Sequence, residues 1–259
     1  MSQNDDLFQQ AMNEGHSAAW DQLWEKAAKH YRKALEITPD NPGALSNLGL
    51  AFFELDRYED AATCYLKTIK VTPEDPIPCE KLSQINERLG KMDQAVKEGL
   101  RAAELYLKYR DVKKAIENWA RVAQLKPDDL QAHSRLAAVF EHLRQTPQAV
   151  RELLIVAALF QVAGDQEKAT RAVAQALQVM PGSKEAKRAM DLVRDGKQLP
   201  LPVSGHATPE IRKERRQPEE LVSETQESEA RQNPAEEAHQ NAIAVLAGLL
   251  FEGTEDDLR

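Results

Sequence analysis

The chain has 259 residues, with 42 acidic against 34 basic side chains, a formal charge of −8 and a pI near 5.4. That balance lacks the basic footprint of a nucleic-acid binder, and the longest apolar run, Ala242–Phe251, is half of the ~20 residues a membrane-spanning helix needs. MSQNDDLFQQ at the start has neither the basic nor the apolar region of a signal peptide, and Cys64 and Cys79 lack metal-ligand spacing, so a reduced, cytoplasmic setting is expected.

Pro and Gly are scarce up to about residue 195, while Ala, Leu, Glu, Lys, Gln and Arg abound, a composition that favours helix. The first predicted element is a helical hairpin, FQQAMNEGHSAAWDQLWEKAAKHYRKALEITPDN, with Gly15, Trp24, Ala27, Tyr31 and Ala34 along its inner faces. The second, PGALSNLGLAFFELDRYEDAATCYLKTIKVTPED, runs from Pro42 to Asp75. Leu45, Leu48, Gly49 and Phe52 mark its first helix, Ala61, Tyr65 and Val71 its second, and Pro73 closes it. Gly49 and Ala61 are small so that the helices approach closely where they cross, with Phe52 and Tyr65 filling the groove beside them. DRYE, Asp56 to Glu59, predicts a capping acid at the second helix. Asp75 is the predicted cap of the following helix, with Pro76 in its first turn, where a missing N–H costs nothing.

These residues resemble the tetratricopeptide (TPR) repeat, whose signature is W-x2-L-G-x2-Y, then A-x3-F, then P, over 34 residues. Leu45 stands where the family often has Trp, and Thr68 where it often has Ala. The first hairpin departs further, with Ala11, Glu14 and Ala18 in place of large residues, as a terminal repeat with one side facing water should.

Beyond Pro73 the interval changes. Pro39 and Pro73 are 34 residues apart, whereas Pro73, Pro127 and Pro181 follow at intervals of 54. The two longer units align: Leu82 with Leu136, Gln94-Ala95-Val96 with Gln148-Ala149-Val150, Lys114-Ala115 with Lys168-Ala169. The TPR pattern fits each unit twice, and the two fits share the residues between Asp93 and Asp111. Too short for two helices, this stretch predicts one helix of ~27 Å at 1.5 Å per residue. It would turn Ala95, Leu100 and Ala102 to the helix before and Leu105, Tyr106 and Tyr109 to the helix after; Ala149–Asp165 repeats the device. Ser183–Asp195 then reads as a solubilising cap helix.

The expected fold is therefore all-α. It is a TPR-like α-solenoid over residues 1–195 containing two 54-residue three-helix units, with a disordered linker over 196–233 and an amphipathic helix over 234–259. Ile243, Leu246, Leu249 and Leu250 form the stripe of that last helix, which docks on the solenoid, self-pairs, binds a partner or begins a further domain.

No phosphate-binding loop, dinucleotide fingerprint, zinc motif or nucleophile elbow occurs, and no two His or Cys stand at ligand spacing, so neither an enzyme nor a cofactor or metal site is expected. The resemblance instead implies a protein or peptide partner on the concave face lined by the first helices of the hairpins. Repeat phase assigns to that face Trp20, Asn47, Leu50, Phe53, Glu54, Lys81, Gln84, Glu87 and Arg88. Leu50 and Phe53 are apolar where a solvated face would be polar, which makes them candidate anchors. Asn47 and Lys81 also match half of the family's carboxylate clamp, but Met12 and His16 stand where its first repeat has Lys and Asn. Two other readings stand beside the scaffold: a self-associating structural protein, and the regulatory N-terminal region of a larger multidomain protein.

Overall fold

The computed structural model describes residues 3–201, and all regular structure among them is helical. In chain order the helices are α1 (Gln3–Trp20), α2 (Trp24–Ile37), α3 (Pro42–Glu54), α4 (Tyr58–Val71), α5 (Pro76–Arg88) and α6 (Met92–Lys108). They continue with α7 (Val112–Leu125), α8 (Leu130–His142), α9 (Thr146–Val162), α10 (Gln166–Val179) and α11 (Lys184–Arg194). The described residues form two compact units, and the division falls inside α6, between Leu105 and Tyr106. Each unit stacks sequence-adjacent helices antiparallel, the TPR-like α-solenoid class. Both predicted shared helices, α6 and α9, are single helices of 17 residues.

Two kinds of turn join the helices. Where a second helix hands over to the next first helix, a short polar side chain caps the new N-terminus. The Asn41 Oδ1 accepts from the Ala44 N–H at 2.9 Å, Asp75 from Ile77 at 3.0 Å, Asp129 from Ala132 at 3.0 Å and Ser183 Oγ from Ala186 at 3.1 Å. Within a hairpin the first helix ends in a left-handed residue, Gln22, Asp56, Gly90, Arg110, Arg144 or Gly164, with φ between 56° and 81°, and after Arg110 and Gly164 an Asp cap, Asp111 or Asp165, follows as well. The next N–H reaches back over the last turn, Arg57 to the Phe52 carbonyl at 2.8 Å and Asp165 to that of Phe160 at 2.9 Å.

This turn overturns one expectation. Asp56 is not the cap of α4: it occupies the left-handed position, Arg57 takes the cap position without a capping side-chain bond, and the Asp56 carboxylate accepts from the Tyr58 hydroxyl at 2.5 Å. Tyr109 also differs from expectation, because α6 ends at Lys108 and leaves it in the turn, 57% exposed.

In the first unit the core gathers Ala11, Met12, Tyr31, Phe52, Tyr65 and Ile85 with smaller neighbours. A methyl added at Gly15 would meet the Tyr31 ring at 2.6 Å, and one at Gly49 would meet the Tyr65 ring at 2.9 Å. The glycines are there because the aromatic ring of the facing helix needs that volume. The Ser83 hydroxyl donates to the Ala95 carbonyl at 2.7 Å and ties α5 to the start of α6. In the second unit the cores lie along α9, where Val150, Leu153, Val156, Ala157 and Ala158 are all buried. Of the expected linker only residues 196–201 are described, and the expected helix over 234–259, with Ile243, Leu246, Leu249 and Leu250, lies outside the described residues.

Candidate functional site

The nine assigned residues all fall on α1, α3 and α5, the first helices of the first unit. Pro42 and Pro76 each sit at the first position of their helix behind an Asx cap, so the start of α3 and of α5 is fixed and the face each presents follows from the 3.6-residue period.

On α1, Trp20 is the last helical residue and is 59% exposed; His16 stands one turn before it on the same side. Met12 is buried in the core, so the first helix offers no clamp group at that position. The ring of His16 lies 5.7 Å from that of Tyr31, and burial holds its pKa below the ordinary value. A neutral imidazole has one bare nitrogen, and its Nε2 accepts from the Asn47 amide N–H at 3.0 Å. That bond joins α1 to α3.

On α3, Leu50 and Phe53 are half-buried. The Phe53 ring packs edge-on against Tyr58 with centroids 5.6 Å apart, so part of its surface is already committed to the hairpin. Glu54 ends the helix at the surface. Loss of surrounding water raises its carboxyl pKa, the Lys81 ammonium opposes that shift, and the Asp56 charge adds to it. Lys81 on α5 is thus near enough to Glu54 on α3 for its charge to act there. Gln84 donates to the Glu80 carboxylate at 3.4 Å, Glu87 is half-buried, and Arg88 is exposed with its charge acting on the Tyr58 hydroxyl.

Asn47, Leu50, Phe53 and Glu54 follow one another along α3, apolar in the middle, with an amide at one end and, at the other, a carboxylate on which the Lys81 charge acts. Leu50 and Phe53 thus leave apolar surface half-open between polar groups. Sequence reasoning missed two members. His16 read only as a departure from the family's carboxylate clamp, yet it holds the Asn47 amide in place, and Tyr58, read only as part of a helix start, backs Phe53. The 34-residue register that pairs α1 with α3 would have found His16, since it occupies the Leu50 position.

Among the described residues no group of three or more His, Cys, Asp or Glu side chains is placed to hold a metal ion, and no helix is long and apolar enough to cross a membrane.

A sequence profile of the TPR repeat matches residues 23–56, and a second profile, of the tetratricopeptide repeat, matches residues 47–106. Among solved structures, the TPR domain of Arabidopsis OM64 is similar at 20% identity and a TM-score of 0.42, covering 46% of this chain and 96% of that one. The MamA protein is 19% identical at a TM-score of 0.38, covering 71% of this chain and 96% of that one. PilF of Pseudomonas aeruginosa is 17% identical at a TM-score of 0.37, covering 76% of this chain and 100% of that one. Among curated proteins none matches the sequence.

Proposed function

Since the chain is a tetratricopeptide-repeat protein, we propose that it is an interaction scaffold, not an enzyme, and that the α1–α3–α5 face holds a peptide segment of a partner protein. The observation that carries this reading is the strip itself: Leu50 and Phe53 stay half-open between the His16–Asn47 bond and the Glu54 carboxylate, on which the Lys81 charge acts. An apolar centre ringed by polar groups is how binding energy concentrates in interfaces. The TPR resemblance supports taking this as the concave side of the repeat. Cys64 and Cys79 are free thiols, which suits the cytoplasm this reading assigns.

The test is affinity capture with the full chain, the Leu50→Asp, Phe53→Asp double variant and a Lys81→Glu, Arg88→Glu double variant, circular dichroism confirming equal helicity. A bound partner should lose about thirtyfold or more in affinity with the first variant, the mark of a hot spot. With the second it should lose less and show a changed salt dependence. A partner held equally by all three would end the reading.

A further inference from the structure

The second unit ends in an arrangement that the hairpins do not explain. α11 closes with the same left-handed turn as the other first helices: Gly196 has φ 68°, and the Lys197 N–H bonds to the Leu192 carbonyl at 2.8 Å. Elsewhere a second helix follows that turn. Here Lys-Gln-Leu-Pro-Leu-Pro follows, and the residue before a proline is pushed out of the helical region, so Leu199 and Leu201 are preset as extended chain.

This strap, Lys197–Leu201, lies on α9. The side-chain amide of Gln161 grips its main chain at two points: Oε1 accepts from the Leu199 N–H at 2.7 Å, and Nε2 donates to the Lys197 carbonyl at 3.2 Å. The Leu199 side chain is 7% exposed, set among Ala158, Val173, Ala189 and Val193. Beside it a shallow cleft opens between the strap and α9, where Val162 is 67% and Leu201 50% exposed. Counted back from the left-handed turn residue, Ala158, Gln161 and Val162 of α9 occupy the positions that Leu50, Phe53 and Glu54 occupy on α3. The chain's own extended segment therefore sits on the same helix positions that, on α3, form the face described above.

We propose that this face of α9 is a second peptide-binding site, filled in the resting chain by the Lys197–Leu201 strap. Its external ligand is an extended segment carrying an aliphatic residue followed by proline, which displaces the strap. Gln161 reads only main-chain groups, so it accepts any extended segment; the socket around Leu199 selects the aliphatic side chain. Proline after that residue keeps the ligand extended before it binds and lowers the cost of ordering it. The strap is tethered to α11 through a single turn and competes at an effective concentration of millimolar order, so the resting site is weak toward outside ligands. The inference concerns the second unit and does not depend on the α1–α3–α5 face.

The probe is a fluorescein-labelled Lys-Gln-Leu-Pro-Leu-Pro peptide, titrated by anisotropy against the full chain and its Leu199→Asp variant. Freeing the site should tighten binding at least tenfold; adding Gln161→Ala, or replacing the first of the peptide's two leucines, the counterpart of Leu199, by aspartate, should abolish the gain. Equal affinity for wild type and variant, or no binding by a variant whose helicity and urea transition match wild type, overturns the proposal. A second measurement needs no variant: hydrogen exchange at the Leu199 amide of the wild-type chain should speed at least tenfold in 10-millimolar unlabelled peptide. An unchanged rate overturns the proposal even if Leu199→Asp fails to fold.

Discussion

The two close-approach glycines were legible because a signature glycine faces an aromatic on the partner helix; Gly15 and Gly49 then prove to touch Tyr31 and Tyr65. The left-handed turn residues were not legible, because only some of them are glycine. Asp56 read as a helix cap, and Arg110 and Arg144 carried no signal at all, yet all three take the conformation that Gly90 and Gly164 take in equivalent turns. A β-carbon there costs ~1–2 kcal/mol, partly offset by the smaller freedom that a non-glycine residue has in the unfolded chain. Opposite substitutions in successive turns should therefore have opposite signs. Arg144→Gly should stabilise by about 0.5–1 kcal/mol, and Gly164→Ala should destabilise by about 1 kcal/mol. Urea midpoints measured on the two variants check both, and a loss of stability in Arg144→Gly would mean that its side chain supports the turn in a way its φ does not reveal.

At the scale of elements, the shared helices were readable because two TPR registers claimed one stretch too short for two helices. What α9 holds inside was not. A helix that is apolar on most sides buries one carboxylate, Glu152, whose Oε2 stands 2.6 Å from the Nδ1 of His133 on α8. The other ring nitrogen of His133, Nε2, donates to the Pro127 carbonyl at 3.1 Å, so the ring spans α9 and the turn that begins α8. Side-chain exposure is 5% for His133 and 9% for Glu152, so neither group has water to fall back on. Removing one partner of a buried pair leaves an uncompensated charge and costs ~3–5 kcal/mol, whereas replacing both by apolar residues is often neutral. His133→Ala should thus lower unfolding stability by about that amount, and His133→Leu combined with Glu152→Leu should recover most of it. The fluorescence of Trp119, fully buried in the same unit, follows the transition. Equal losses in the single and double variants would show that the histidine matters for shape and not for pairing. The strap escaped the sequence for a related reason: Lys-Gln-Leu-Pro-Leu-Pro has a linker's composition, and only the position of Gln161 three residues before a turn glycine makes its leucine a buried residue.

For the molecule as a whole, the interval between stop prolines gave the repeat lengths, and the turn residues keep the same rhythm. Asp56 follows Gln22 by 34 residues, and Gly164 follows Arg110 by 54. Packing Gly15 and Gly49 against the rings of Tyr31 and Tyr65, and burying Cys64 and Cys79, also places titratable groups in the core, with a consequence for the whole chain. Burial raises the Tyr31 pKa from 10.0 to about 12 and Tyr65 higher still, and it raises Cys64 and Cys79 from 9.0 to about 11 each. Only the neutral forms suit the folded state. Stability is therefore complete below pH 9, where these groups are neutral folded or unfolded, and it is lost as pH rises through 9 for the thiols and 10 for the phenols. Each group that ionises only in the unfolded chain contributes a slope of about 1.4 kcal/mol per pH unit. Urea midpoints at half-unit steps from pH 8 to 11, under reducing conditions, should bend downward near 9. In the Cys64→Ala, Cys79→Ala variant the bend should move up to near 10, with the tyrosines alone responsible for what remains. If the bend stays near 9 without the two thiols, the alkaline sensitivity of this fold belongs to surface charge and not to the groups its repeats bury.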